Sequence, residues 1–155
     1  MSAFVELDTA ALEGLALDWA VGIAEGLELE LPDARLGRKS IVWCQPFKVK
    51  LDGQVIGHDK ARHRWAPSTD WAQGGPLIDK YRFDLTYERH ELVYAYPCDE
   101  NGSSAYAIQD DDHWPRYGHT ALIAICRALV HWRLGAIVRV PAELVERVQG
   151  GGGIA

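Results

Sequence analysis

The sequence predicts an α+β fold: a single domain with a mostly antiparallel sheet, two main helices packed on it and a short C-terminal helix. Three observations carry that expectation. Apolar residues recur at helical spacing in two separate stretches, Leu12, Leu15, Ala16, Trp19 and Ile23, then Leu122, Ile125, Cys126, Leu129 and Trp132. An Asp52-Gly53 pair sits between two runs that alternate apolar and polar residues. Between the helical stretches lie further short extended runs, with no internal repeat and no linker long enough to divide the chain.

The first helix is expected over residues 7–25. Asp8 is a good N-cap, Leu7 can pack on Leu12 as a hydrophobic staple, and Gly26 is a stop. Glu13, Asp18 and Glu25 fall off the apolar stripe and are expected to face water. Residues 27–37 alternate Leu with Glu and then turn at Pro32-Asp33, as an edge strand or an irregular connection would. Residues 41–44 and 47–51 read as strand. Asp52-Gly53 then tolerates the positive φ of a type I′ turn, and residues 54–56 return.

Residues 57–80 read as irregular, because Gly74, Gly75 and Pro76 interrupt both the helical and the strand period. Strands are expected at 81–86 and 92–96, a polar turn at 98–104, more strand at 105–108, and an irregular stretch at 110–118. The second helix runs from His119 or Thr120 to Leu134, with Gly135 at C′. Residues 138–140 are short and extended, and Pro141 opens a last helix through Gln149. The expected organisation is thus one domain over 1–149 and a flexible Gly-rich tail over 150–155.

Composition narrows the function classes. A 48% apolar and 25% charged chain of 155 residues is ordinary for a globular domain. It buries roughly two thirds of the surface its unfolded form exposes. A net charge of −6 argues against nucleic acid as a partner, since that binding needs Lys and Arg to neutralise phosphates. No apolar run reaches the ~20 residues that span a bilayer, and no signal peptide is recognisable, so no membrane partner is expected. Cys44, Cys98 and Cys126 are odd in number and form no CxxC pair, which fits reduced thiols in a cytoplasmic protein.

Three blocks carry a resemblance. They are Ala16-Leu17-Asp18-Trp19-Ala20-Val21, the loop from Pro67 to Asp79, and Gly118-His119-Thr120-Ala121-Leu122-Ile123-Ala124-Ile125-Cys126-Arg127 running on to Val140-Pro141-Ala142-Glu143-Leu144. Together they resemble the NinX-like family of small tailed-phage accessory proteins. That resemblance implies a phage origin and action inside the infected bacterial cell, and it brings no catalytic residues. Accessory phage proteins of this size often counter host defence, some by sequestering nucleotide-like immune signals.

The residues themselves offer a ligand pocket built from the central loop and the second helix. Trp65 and Trp71 are candidates to stack on a base, an interaction of ~1–3 kcal/mol. Ser68, Thr69, Asp70 and Gln73 are candidates to hydrogen-bond base edges or ribose, and Gly74 and Gly75 let backbone amides approach closely. His119 and Thr120 open a helix N-terminus suited to phosphate, and Arg127 adds a fixed charge. Arg62, His63 and Arg64 offer a second cationic contact just upstream. Each part also has a structural reading, in which Trp71 plugs the core, Asp70 caps a turn and the glycines merely reverse the chain.

Two other constellations are weaker. Asp110-Asp111-Asp112-His113 with His119, Asp99 and Glu100 holds metal-ligand chemistry but no HExxH or i, i+4 His pair, and reads better as a solvated acidic loop. Cys98 or Cys126 with His113 or His119 is the remaining nucleophile option, and Cys126 lies on an apolar stripe. The expectation is a non-catalytic cytoplasmic binder that sequesters a nucleotide-like small molecule as a homo-oligomer, with no metal and no cofactor. The alternatives are a metal-dependent hydrolase of such a signal, or an acidic inhibitor of a host protein presenting Glu25, Glu28, Glu30 and Asp33.

Overall fold

A computed structural model describes residues 3–90, 92–98 and 116–145. The order is β1 (Phe4–Asp8), α1 (Gly14–Ala24), β2 (Glu28–Glu30), β3 (Ile41–Leu51), β4 (Gln54–Trp65), α2 (Trp71–Tyr81), β5 (Asp84–Arg89), β6 (Leu92–Tyr96), β7 (Arg116–Gly118), α3 (Ala121–Leu134) and β8 (Ile137–Pro141). This is a single α+β domain, and every strand pair is antiparallel. Among the described residues the strands divide into three small sheets, ordered β1-β8, β2-β3-β4 and β5-β6-β7.

Helix α3 is the axis of the core. Leu122, Ala124, Ile125, Cys126, Ala128, Leu129 and Val130 are all buried, so the helix is apolar nearly all round rather than on one stripe. It packs on α1, α2, β6 and β7. Thr120 caps it, its hydroxyl accepting from the Ile123 N–H at 3.1 Å, and Gly135 ends it at φ 100°. The Gly135 stop is the one expected from the sequence; Thr120, read as a possible first residue of the helix, is its cap.

The hairpin is also as expected at its turn and longer beyond it. Asp52 and Gly53 have φ of 52° and 80°, the two positive values a type I′ turn requires. Residues 57–65, read as irregular, instead continue β4 in register with β3 as far back as Ile41↔Trp65.

Four other expectations are corrected. Residues 4–8 form a strand, so Leu7 and Asp8 do not open a helix as expected. Asp8 does cap, accepting from the Ala10 N–H at 2.9 Å, but what it caps is a 3-10 turn over Thr9–Ala11, and α1 begins only at Gly14. Residues 71–80, read as irregular, form α2 together with Tyr81, which was expected to open a strand: Asp70 accepts the Ala72 N–H at 2.9 Å and starts a helix despite Gly74, Gly75 and Pro76. Arg116–Gly118 pairs with β6 rather than being irregular. Pro141 closes β8 opposite Phe4, and the following helical turn starts at Ala142. The turn and strand expected at 99–108, the acidic stretch at 110–113, the rest of the last helix and the 150–155 tail lie outside the described residues.

Candidate functional site

The central loop is built around Asp18. This residue was expected to face water, yet it is only 4% exposed, because α1 is covered on more than its one apolar stripe, with Leu17 and Val21 buried as well as Ala16 and Ala20. Its carboxylate accepts the buried Ser68 N–H at 2.9 Å, and its backbone carbonyl accepts the Trp65 indole N–H at 2.9 Å. Burial pushes the Asp18 carboxyl up to about 6, against the hydrogen bonds from Ser68 and the Arg64 charge, which pull it down. Glu25 is likewise not a free surface group: it pairs with Lys80 at 2.8 Å and accepts from the Tyr81 hydroxyl.

Gln73 fixes the other side of the loop. Its carbonyl accepts the Ala66 N–H at 2.7 Å while its amide donates to the Arg64 carbonyl. Gly74 lies so close to the loop that a Cβ would sit 2.2 Å from the Pro67 carbonyl oxygen and 2.8 Å from Leu122 Cδ2. Loop, α2 and the first turn of α3 are therefore brought together largely by contacts that fill their polar groups.

The expected ligand residues thus separate by position. Trp65 is 5% exposed and packs edge-on to Trp43; Ser68 and Gly74 are buried; Gln73 bridges the backbone of Arg64 and Ala66. Arg127 is half-buried and donates through Nε to the Leu12 carbonyl at 2.7 Å. Thr69, Trp71, His119 and Thr120 are exposed, and Asp70 and Gly75 are half-buried. The Trp71 ring, 57% exposed, lies over Gly75, where a Cβ would come within 3.3 Å of it.

A better-formed recess lies on the neighbouring sheet. Arg38, Lys39, Ser40, Val42, Arg62, His63 and Arg64 line a cleft of about 330 Å³. The antiparallel register places Val42 opposite Arg64 and Cys44 opposite Arg62, so both arginines project from one face of the sheet. Glu30, opposite Val42 on the other neighbour, reaches Arg38 at 2.9 Å and Arg62 at 3.3 Å. The Arg62 hydrogen bond, helped by the charges of Arg62 and Arg38, holds the Glu30 carboxyl below the usual range. Arg64 donates to the Ser40 hydroxyl at 3.1 Å, and Arg38 Nε is buried with no partner among the described residues. Glu30 thus touches two of the four cations, Arg38 and Arg62.

Arg62, His63 and Arg64 were legible as a cationic contact. Arg38, Lys39 and Ser40 were missed, since they reach the cleft only through the turn between β2 and β3.

A sequence model described as "Bacteriophage P22, NinX" matches residues 8–133, which takes in everything from the end of β1 to nearly the end of α3. The chain belongs to this phage family. No curated protein matches it. The NinX match covers both the Asp18 loop and the basic cleft, so either lies within what defines the family's domain.

Two alternatives for a NinX-family chain can be placed against this geometry. The acidic group offered to a basic partner is occupied internally: Glu28 pairs with Lys60, Glu30 with Arg38 and Arg62, and Asp33 with Arg35. Of the proposed metal cluster, His119 alone is among the described residues, where no group of three potential ligands occurs. No described helix is long and apolar enough to cross a membrane.

The cysteines give a direct check. Burial, then the Asp18 charge, pushes the Cys126 thiol well above its ordinary value, and burial with Glu30 raises Cys44. Neither Cys44 nor Cys126 should therefore be alkylated by iodoacetamide in the native protein, as read by peptide mass spectrometry. Rapid labelling of Cys126 without unfolding would contradict its burial and revive it as a nucleophile.

Proposed function

We propose that this phage protein acts in the bacterial cytoplasm as a non-catalytic binder that sequesters a nucleotide-like anionic small molecule, a host immune signal. The observation that supports this reading is the basic cleft, in which Arg38, Lys39, Arg62 and Arg64 line one recess and, among the described residues, Glu30 pairs with Arg38 and Arg62. Guanidinium groups suit phosphate because their planar donors engage two oxygens at once. On an acidic chain such a cluster is a local exception, and that favours a compact anion over a long polyanion.

The exposed Trp71 ring supplies a stacking surface nearby in the chain. Gln73 ties the start of α2 to the Arg64 carbonyl, so the helix bearing Trp71 and the strand bearing Arg64 are held to one another. In this reading the phosphates enter the cleft and the base meets Trp71, with His119 and Thr120 as secondary contacts. Sequestration needs slow release and no nucleophile.

The test is native mass spectrometry of protein from infected cells, with heat release and analysis of the supernatant. A retained, chemically intact nucleotide-like mass is expected. Arg64→Gln should weaken its retention on the order of ten- to a hundredfold, the effect of one charge-assisted hydrogen bond, without moving the melting temperature. An empty protein that also fails to retain nucleoside diphosphates or triphosphates added at millimolar concentration would overturn the reading.

A further inference from the structure

Glu30 holds two of the cleft's four cations before any ligand does. Its Oε1 accepts from Arg38 Nη1 at 2.9 Å and from Arg62 Nε at 3.3 Å, while its Oε2 accepts from Arg62 Nη2 at 3.5 Å. The carboxylate thus meets the Arg62 fork with both oxygens, which is how a guanidinium takes two oxygens of a phosphate. Glu30 is not itself part of the cleft lining; it draws both guanidiniums toward β2, the edge strand of its sheet.

The other two cations are placed differently. Among the described residues neither Lys39 nor Arg64 forms an ion pair, and Arg64 donates to the neutral Ser40 hydroxyl at 3.1 Å. An arriving anion therefore finds half of the cleft open and half engaged.

That engagement is of a kind that can be undone. The Glu30 side chain is 30% exposed and that of Arg62 53%, so water competes for both, and the two bonds between them are long. Exposed ion pairs of this kind are individually weak. An anion carrying more charge than one carboxylate can take over both arginines, and Glu30 has solvent to turn into. Glu28 provides the contrast: two residues away on the same face of β2, it pairs instead with Lys60, which does not line the cleft.

We propose that Glu30 is a built-in competitor for the anion site, which a ligand must displace from Arg38 and Arg62 in order to bind. This role rests on the basic cleft being the anion site. The cost of displacement is set by the Glu30 contacts and not by the ligand, so every affinity is lowered by one common factor. An anion with few contacts then falls below useful affinity, while one that also engages Arg64, Lys39 and an aromatic surface is retained.

Isothermal titration of the full chain with inorganic pyrophosphate and tripolyphosphate, at fixed pH and ionic strength, tests this. Glu30→Gln is expected to bind both anions about tenfold more tightly, by the same factor, and Glu28→Gln to stay within about twofold of wild type. Glu30→Asp keeps the charge but withdraws it by one methylene, so it should show part of the gain, and it serves in place of Glu30→Gln should that variant fail to fold. Wild type that binds while Glu30→Gln binds no better would overturn the competitor role and leave the cleft standing as the anion site. Equal gains in Glu30→Gln and Glu28→Gln, or a gain larger for tripolyphosphate than for pyrophosphate, would also overturn it, since either marks a field effect rather than a contact. Binding by none of these proteins at millimolar anion would overturn the cleft as an anion site and the competitor with it.

Discussion

Gly74→Ala is expected to destabilise the protein by roughly 3 to 5 kcal/mol, through overpacking and the loss of two hydrogen bonds. The added Cβ would meet the Pro67 carbonyl oxygen at 2.2 Å and Leu122 Cδ2 at 2.8 Å. The leucine methyl can swing away, but the carbonyl cannot, because the next residue's amide is held by the buried Asp18 carboxylate. Helix α2 must then move outward, which stretches the Gln73 bonds to Arg64 and Ala66 and uncovers Leu77. At about 2–4 °C per kcal/mol for a chain of this size, the melting temperature should fall by roughly 10 °C. Gly75→Ala provides the control. Its Cβ faces only the edge of the exposed Trp71 ring at 3.3 Å, and alanine is favoured over glycine in a helix by ~1 kcal/mol, so this variant should melt at or above wild type. Equal melting of wild type and Gly74→Ala would remove the close approach of α2 to the loop.

Asp18→Asn should have a large effect of opposite sign. The carboxyl sits at about 6 in the folded protein against an ordinary 3.8, so between these values the folded state holds a proton that the unfolded state has released. Stability from this group is therefore greatest below about 4, declines as pH rises to about 6, and is flat above; the total is about 3 kcal/mol. Asparagine keeps the carbonyl oxygen that accepts from Ser68 and removes the charge that burial penalises. The variant should therefore lose this pH dependence and exceed wild type above pH 6, measured by urea unfolding from pH 4 to pH 8. Carboxylates such as Glu30, whose value is lowered, act in the reverse direction, so the difference between variant and wild type is the quantity to follow. A variant less stable than wild type at pH 8 would mean that the ionised form is required.

Both results concern features the sequence concealed, and for the same reason. Helix α3 could be read directly, because its apolar spacing and Gly135 stop act locally. So could the hairpin turn, where Asp52 and Gly53 announce their own backbone angles. Helix α2 could not: Gly74 lowers helix propensity, and the contact that makes glycine necessary comes from Pro67, outside the helix. Asp18 misleads similarly, since a period search finds one stripe and α1 is covered on more than that stripe. Asp8 gives a true capping signal attached to a shorter structure than expected. Of the candidate site, the loop's polar residues were visible, but their hydrogen bonds run to Asp18 and to the backbone. The cleft is assembled from Arg62 and Arg64, set side by side by strand register, and from Arg38 and Lys39, which the turn between β2 and β3 brings to them.

The pairing of β1 with β8 joins Phe4 to Pro141 and Asp8 to Ile137, at opposite ends of the described chain. A ribosome releases Phe4–Asp8 well before β8, and the strand that satisfies its backbone emerges only after α1, α2 and α3 have been made. Until then β1 offers an unpaired edge, and Val5 and Leu7 await the core they pack against. Final closure spans nearly the whole polypeptide, the kind of long-range step that slows folding. Nascent chains truncated before Ile137 would carry most of the core residues and none of the seam that fastens their beginning to it.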